Sequence, residues 1–349
     1  MYLAALSERI GDPGVMALIG LFVGLLFGGF AQRSQFCLRA STVEFWRGTL
    51  GPRTAIWLIV FGVALFGVQL LFAYGQLETE SVRQISSAGT MSGAIIGGAM
   101  FGAGMILARG CASRLLVLSA TGNLRSFVTG LILTVAAQAS LRGALSPART
   151  QLSSLWIIDP ETRNLMEVLP AYSGIFIGLA ILAVAAYAAK RYKLSSWAIF
   201  GGVGVGVAVV LGWWLTAILA SNSFEVVPVQ SVSFTGPSAD TLMTLINEPH
   251  ITFTFGLGLV PGVFLGSFLA SIIAGDFHIE TFSENAPLPR YIIGAILMGF
   301  GSMLAGGCAV GAGVTGGAVL ALTAWVALLF MWLVAGATDY FVDRPKAQT

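Results

Sequence analysis

Charged residues are scarce in this sequence. Asp, Glu, Lys and Arg make up only 10% of the 349 residues, whereas soluble domains carry about 25%. So few charges cannot cover the surface of a water-soluble globule, which excludes a soluble enzyme and a disordered protein. The 18 basic residues nearly balance the 16 acidic ones, so no basic surface for nucleic acid is expected.

Cysteine and histidine are also rare. The three cysteines form no CxxC pair and are odd in number, so they do not form a disulfide framework. A soft metal bound by three thiolates would lack an obvious fourth ligand, and we expect neither a metal nor a cofactor. The N-terminus has no basic region followed by an apolar core and a cleavage site, so its first apolar run is predicted to be a retained span.

Apolar residues and glycine dominate what is present. The chain is 56% hydrophobic and holds 44 glycines, and its mean hydropathy is +0.86. A transmembrane helix needs roughly 20 mostly apolar residues, and glycine suits close helix packing in a bilayer. The sequence therefore predicts an all-α polytopic membrane protein with about nine transmembrane helices. The predicted spans are 14–31, 54–75, 91–108, 124–141, 171–189, 197–220, 251–273, 289–306 and 318–337.

The basic residues predict an orientation. With the N-terminus outside and the C-terminus inside, the inner connections hold 13 of the 18 Lys and Arg residues. An excess of Lys and Arg in the connections marks the cytoplasmic side. The five on the outer side are Arg9, Arg83, Arg142, Arg149 and Arg163.

Two stretches of the chain resemble each other. GGAMFGAGMILARGCA (97–112) aligns with GAILMGFGSMLAGGCA (294–309) at an offset of 197, and eight of the 16 pairs are identical. The same offset divides one membrane domain into a first repeat (14–141), a connecting span (171–189) and a second repeat (197–337). Corresponding spans are five apart, so the two copies would cross the membrane in opposite directions. Inverted repeats of this kind are typical of transporters.

Each matched stretch ends in glycine and cysteine, and an unusually apolar connector follows. We predict a re-entrant segment at each place: a half-helix, a break at Gly110 or Gly307, and a return, with the two tips meeting near the midplane. Free backbone N–H groups at such breaks favour anions. Arg109 and Arg114 flank the first cysteine, and they either attract an anion or only set the topology. The predicted substrate-binding residues are Arg109, Gly110, Gly306 and Gly307.

The three cysteines carry different weights. A lone cysteine in a membrane helix is usually a small packing residue, but Cys111 and Cys308 occupy matched positions in the repeat, which favours a function. Cys37 lies in AQRSQFCLRASTVEFW (31–46), which is either an interfacial helix or a further re-entrant element. Its counterpart in the second repeat is expected near Phe224, where no cysteine stands.

The cysteine motifs carry a family resemblance. QRSQFCLRA (32–40), ARGCAS (108–113) and GGCAVG (306–311) resemble motifs of the YeeE/YedE family of bacterial inner-membrane proteins, whose characterised members import thiosulfate. The resemblance implies that Cys37, Cys111 and Cys308 are the functional centre. Some members are fused to a sulfurtransferase domain or encoded beside a small soluble TusA-like protein, which implies such a partner on the cytoplasmic side.

The sequence thus predicts uptake of thiosulfate, or of a related small sulfur ion, by relay between the three thiols in an open order. Thiols are weak hydrogen-bond donors, suited to loose and repeated binding. One alternative is a membrane-embedded sulfurtransferase or thiol oxidoreductase that forms a cysteine persulfide, although no CxxC pair or general base is evident. Another is transport of a different sulfur or selenium species.

Overall fold

The computed structural model describes residues 2–249, 251–281 and 288–344 as a bundle of long apolar helices. Within these residues nine helical segments are long and apolar enough to cross a membrane, which confirms the nine predicted spans. A two-stranded antiparallel ladder joins the connection before the third span to the one after the fourth. The elements are α1 (Tyr2–Ser34), α2 (Leu38–Trp46), α3 (Pro52–Ala73), α4 (Arg83–Ser86), β1 (Gly89–Thr90), α5 (Met91–Leu107), α6 (Ala112–Ala120), α7 (Leu124–Arg142), α8 (Ser146–Ser153), β2 (Ile157–Ile158), α9 (Pro160–Arg163), α10 (Leu165–Val168), α11 (Ser173–Arg191), α12 (Ser196–Asn222), α13 (Thr235–Asn247), α14 (Phe255–Ala274), α15 (Leu288–Leu304), a π-helix (Ala309–Gly316) and α16 (Leu322–Val342).

The helices α5 and α15 end in the same kind of turn. Arg109 after α5 and Gly306 after α15 both have left-handed backbone, with φ of 54° and 79°. The next amide donates back into each helix, at 3.1 Å from Gly110 and 2.8 Å from Gly307. Such turns end helices and favour glycine at the left-handed position. Both helices therefore stop where the sequence predicts a break, and a short helix begins after each one.

The chain leaves α5 and enters α7 on one side of the bundle. The guanidinium of Arg290, in the first turn of α15, donates to the carbonyl of Ile106 at 3.1 Å. The amide of Leu124 donates to the carbonyl of Glu280, in the connection before α15, at 3.1 Å. The intervening segment thus begins and ends beside the same connection. A re-entrant path has this property, and the path itself stays a prediction.

The matched helices α5 and α15 pack through reciprocal contacts. A Cβ atom on Gly97 would lie 2.5 Å from the carbonyl oxygen of Gly301, and one on Gly294 would lie 2.8 Å from that of Gly104. The second contact is the first one with the two copies exchanged. Contacts that map onto themselves in this way are the mark of a local two-fold relation, and glycine allows the close approach.

The other spans follow the same pattern. In the proposed repeat, α1 corresponds to α12, α3 to α14, α5 to α15 and α7 to α16. The helix α1 packs against α14, and correspondingly α12 packs against α3. In the same way, α5 packs against α16 and α15 packs against α7. This packing supports an internal repeat, whereas the opposite orientation of the copies stays a prediction.

The expected counterpart of Cys37 near Phe224 is wrong. Phe224 lies exposed in the extended segment after α12. The offset of 197 leads from Cys37 to Phe234, and the two residues hold equivalent places. Cys37 directly precedes α2, and Phe234 directly precedes α13. The position that corresponds to Cys37 therefore holds a buried phenylalanine.

Candidate functional site

All three cysteines occupy the position just before a short helix. Cys37 precedes α2, Cys111 precedes α6 and Cys308 precedes the π-helix, and each has extended backbone. The first amides of a helix have no partner within the helix, and they carry partial positive charge. Each thiol therefore lies at a terminus that favours an anion or a polarisable sulfur.

The thiols contact these amides to different degrees. The amide of Gly311 donates to the sulfur of Cys308 at 3.4 Å. The amides of Ala40 and Arg114, each three residues after a cysteine, lie near the sulfurs of Cys37 and Cys111, but neither sulfur accepts a cap hydrogen bond. The backbone position of the cysteine thus recurs three times, and the hydrogen bond to its sulfur occurs at Cys308.

Cys37 and Cys111 lie next to each other. Their side chains are neighbours, and we call them the thiol pair. Cys111 is buried and Cys37 is half-buried, and the hydroxyl of Ser113 lies 3.4 Å from the sulfur of Cys111. The segment after α1 thus brings its cysteine to the break after α5, so that two sequence motifs form one site.

The two arginines that flank Cys111 have different surroundings. The Arg114 guanidinium lies near both sulfurs of the thiol pair. Its Nη1 atom is buried and has no hydrogen-bond partner among the described residues. Arg109 is exposed, and its charge acts on Asp343. Arg109 stays a predicted substrate ligand, whereas the less exposed cation near the thiols is the half-buried Arg114.

The second site surrounds Cys308 and is more apolar. Cys308 is fully buried, and the π-helix that follows it packs against α3, α6 and α16. The hydroxyl of Thr315 donates to the carbonyl of Val232 at 2.6 Å, and Gly311 lies directly against Ser233. The extended segment before α13 therefore lines this site, which we call the Cys308 site.

The π-helix is anchored at its C-terminal end. The side-chain amide of Gln69 donates to the carbonyl of Ala318 at 2.9 Å. The indole of Trp325 donates to the carbonyl of Gly317 at 3.2 Å. Its sequence AVGAGVTG has small side chains, which allow neighbouring backbone to approach closely. Single π-helical turns are often found at functional sites. Gly306 before it is exposed, whereas Gly307 is buried.

The helix that carries Cys37 is fixed to two other helices. The Glu44 carboxylate accepts from the first free amides of α3, those of Arg53 at 2.9 Å and Thr54 at 3.0 Å. Just after the same end of α2, the Arg47 guanidinium makes two bonds of 2.9 Å to the Asp339 carboxylate. These contacts fix the C-terminal end of the helix that Cys37 precedes.

An ion-pair cluster joins the elements around the thiol pair. Asp343, just after α16, accepts from Arg290 at 2.8 Å and from Arg39 at 3.5 Å. The Arg290 guanidinium lowers the pKa of the Asp343 carboxyl below its ordinary value. Since Arg290 also donates to the carbonyl of Ile106, we call these residues the Asp343 clasp. It links α2, α5, α15 and α16.

Residues 33–337 match the protein family described as sulphur transport. The chain belongs to the sulphur transport family. It is 26% identical to the thiosulfate transporter TsuA of Escherichia coli (strain K12), in a match that covers 95% of this chain and 96% of that protein. It is also 26% identical to the thiosulfate transporter TsuA of Spirochaeta thermophila, over 91% of this chain and 96% of the relative. Since the described part of the chain holds nine apolar helices long enough to cross a bilayer, this member of the family is a multi-pass membrane protein.

Sequence reasoning missed two features of the site. It placed Arg109 and not Arg114 among the substrate-binding residues, because the sequence does not tell which of the two side chains is less exposed, and that choice stays a prediction. It also missed Phe234, although the repeat offset alone identifies that residue. Applied to Arg114, the same offset gives Gly311. The two sites therefore differ at two corresponding positions.

Proposed function

We propose that this protein imports thiosulfate across the bacterial inner membrane and passes the ion between cysteine thiols. The neighbouring thiols of Cys37 and Cys111, with Cys308 in the matched position of the repeat, carry the proposal. Two relatives aligned over most of the chain are named thiosulfate transporters, which supports the cargo. The same names support transport as the activity.

The chemistry of the thiols suits this cargo. Thiosulfate is a dianion with one terminal, soft sulfur, and a neutral S–H group donates a weak hydrogen bond that releases the ion readily. The free amides at each helix start attract the negative charge. In the predicted orientation the ion meets Cys308 first and then the thiol pair. Gly110, Gly306 and Gly307 keep side chains away from this path.

A soluble TusA-like sulfurtransferase on the cytoplasmic side is part of the proposal. It would consume the imported sulfur compound and keep its concentration low inside the cell. The N-terminus outside and the C-terminus in the cytoplasm complete the proposed arrangement.

The test is uptake of labelled thiosulfate in a bacterial strain that lacks its own sulfate and thiosulfate importers. We expect the intact protein to support uptake and growth, and Cys111→Ala to abolish both. Ser119→Ala is the matched control, because Ser119 lies on the same helix and bonds only its own backbone, at 2.6 Å. Normal uptake by Cys111→Ala would contradict the relay.

A second readout separates transport from sulfur transfer. Intact-mass measurement after exposure to thiosulfate reports any sulfur atom added to a cysteine. We expect the mass to stay unchanged, since the relay forms no covalent bond. A persulfide on Cys37 or Cys111 would instead favour a membrane-embedded sulfurtransferase.

A further inference from the structure

A half-buried arginine with no carboxylate partner among the described residues lies near the thiol pair, and one of its guanidinium nitrogens is fully buried. An arginine side chain is always protonated in proteins, and burying a charge is unfavourable unless it is paired and hydrogen-bonded. The Arg114 guanidinium forms no ion pair with a carboxylate of the described residues, and its buried Nη1 has no acceptor. The guanidinium of Arg114 therefore lacks a carboxylate partner, and the described residues do not supply one.

None of the ionisable neighbours of Arg114 is a carboxylate. These neighbours are the thiols of Cys37 and Cys111 and a second cation, Arg53. A neutral thiol supplies no counter-charge, so the charge of Arg114 is balanced either by a thiolate or by a bound anion. The hydroxyl of Ser41, one turn along α2 from Cys37, is also buried without a partner among the described residues. Hydrogen-bonding groups are thus left open beside the sulfurs.

The fold does not require an arginine at this position. Its counterpart in the second repeat is Gly311, which lies in the first turn of the π-helix at the same distance along the chain from Cys308. A helix therefore starts after the break whether or not a side chain is present. The guanidinium of Arg114 serves something other than the local architecture.

We infer that Arg114, Cys37 and Cys111 form one binding site for a small dianion that has both oxygen atoms and a terminal sulfur. The inference rests on the proposed function and adds the residue that holds the charge. The planar guanidinium binds oxyanions through two parallel hydrogen bonds, while the thiols face the sulfur of the same ion. Sulfate matches the guanidinium but leaves the thiols without a sulfur partner, so it binds more weakly than thiosulfate.

The competing role for Arg114 is to stabilise a thiolate at the thiol pair. The two roles predict opposite effects on stability. Removing an uncompensated buried charge leaves the ligand-free protein as stable as before or more stable, whereas removing the partner of a thiolate destabilises it. Arg114→Met therefore distinguishes the roles before any ligand is added.

The test uses the purified full chain in lipid nanodiscs, with Arg114→Gln, Arg114→Lys, Arg114→Met and the matched control Arg191→Gln. Arg191 is exposed at the end of α11, far along the chain from the site, and its loss removes the same charge. Two quantities are measured: thermal unfolding without ligand, and protection of Cys37 and Cys111 from maleimide by thiosulfate, sulfate or selenate.

We expect thiosulfate to protect both cysteines in the wild type and in Arg191→Gln. Arg114→Gln should need at least tenfold more thiosulfate for equal protection, and Arg114→Lys should fall between them. The melting temperature of Arg114→Met without ligand should equal or exceed that of the wild type. Equal protection in Arg114→Gln, or a lower melting temperature in Arg114→Met, would overturn the inference.

The anions separate this inference from the proposed function. If sulfate or selenate protects the wild type better than thiosulfate, the proposed cargo is wrong. Dependence of that protection on Arg114 would still support an anion site at the thiol pair. If none of the three anions protects the wild type, the anion site itself is refuted.

Discussion

The thiol pair and the Cys308 site hold corresponding places in the two halves of the molecule, yet they differ in polarity. Cys37 corresponds to Phe234, and Arg114 corresponds to Gly311. One half thus offers two thiols and a cation, whereas the other offers one thiol among apolar and small residues. The common part is a cysteine at the start of a short helix after a broken span, and the differing part is what surrounds it.

This difference separates scaffold from chemistry. The breaks after α5 and α15 and the reciprocal glycine contacts recur in both halves, because both need a cysteine at a helix start. The arginine and the second thiol occur once, so the fold does not need them. A transporter whose two sites are unequal holds its cargo more firmly at one of them, and we expect that site to be the thiol pair.

Oxidation should have the largest effect, because it attacks the feature found in only one half. In membranes treated with copper phenanthroline, we expect a disulfide between Cys37 and Cys111 and a complete loss of thiosulfate uptake. Cys308 should stay reduced, since it lies at the other site. Peptide mass mapping with and without reductant is the measurement.

The control for this experiment is Cys37→Ser, in which no disulfide can form at the thiol pair. Any remaining uptake by this variant should survive the oxidant. A disulfide that includes Cys308 in the wild type would contradict the separation of the two sites.

Adding a side chain at Gly311 should have the next largest effect. A Cβ atom there would overlap the Oγ atom of Ser233 and lie 2.9 Å from its Cβ. Gly311→Ala should therefore displace the segment that lines the Cys308 site and reduce uptake at least tenfold. The corresponding Arg114 tolerates a side chain, so the same position has opposite requirements in the two halves.

The double variant Gly311→Ala/Ser233→Gly tests the cause of this loss. Removing the Ser233 side chain removes the overlap, so uptake should recover at least in part. Equal uptake by Gly311→Ala and wild type would mean that the π-helix has room that the packing does not indicate.

The glycine contacts shared by both halves predict equal effects. Gly97→Ala and Gly294→Ala each force α5 and α15 apart, because each new Cβ would meet backbone atoms at 2.5–2.6 Å. Overpacking of this kind typically reduces stability by about 1–3 kcal/mol. Thermal unfolding in detergent should give similar shifts for the two variants, and clearly unequal shifts would contradict the two-fold packing.

Gly130→Ala is the matched control for these two variants. It lies within α7, and a Cβ there would meet nothing within 4 Å. Since alanine favours helix over glycine by about 1 kcal/mol, this variant should be as stable as the wild type or more stable.

The Asp343 clasp, found beside the thiol pair, gives the smallest predicted effect. The pKa of Asp343 is lower in the folded protein than its ordinary 3.8, so its stabilisation is complete above that value and is lost as the pH falls through the folded pKa. Solvent screening limits the contribution to about 1 kcal/mol or less.

Asp343→Asn should therefore be slightly less stable than the wild type at pH 7. The difference in melting temperature should stay constant from pH 8 to pH 5 and shrink only below about pH 4. A difference that disappears near neutral pH would contradict the ion pair with Arg290.

The sequence predicted the spans well and the site only in part. Runs of apolar residues identify membrane helices because the bilayer core leaves few alternatives, and the matched glycines located the breaks after α5 and α15. The neighbourhood of Cys37 and Cys111 depends on where α2 docks. Contacts of Glu44 and Arg47 with other helices decide that, and no local pattern reports them.

The different surroundings of Arg109 and Arg114 were out of reach of the sequence for a related reason. Both residues flank Cys111, and only the structure shows that Arg109 is exposed on left-handed backbone while the Nη1 atom of Arg114 is buried. Phe234, by contrast, was within reach of the sequence, since the offset of 197 identifies it without a structure.

The central claim is that thiosulfate crosses the membrane by way of the thiol pair. The most direct measurement is uptake of radiolabelled thiosulfate by proteoliposomes that contain only the purified protein, wild type or Cys111→Ala. We expect saturable uptake by the wild type and background uptake by Cys111→Ala. Equal uptake by both proteins, or none by the wild type, would contradict it.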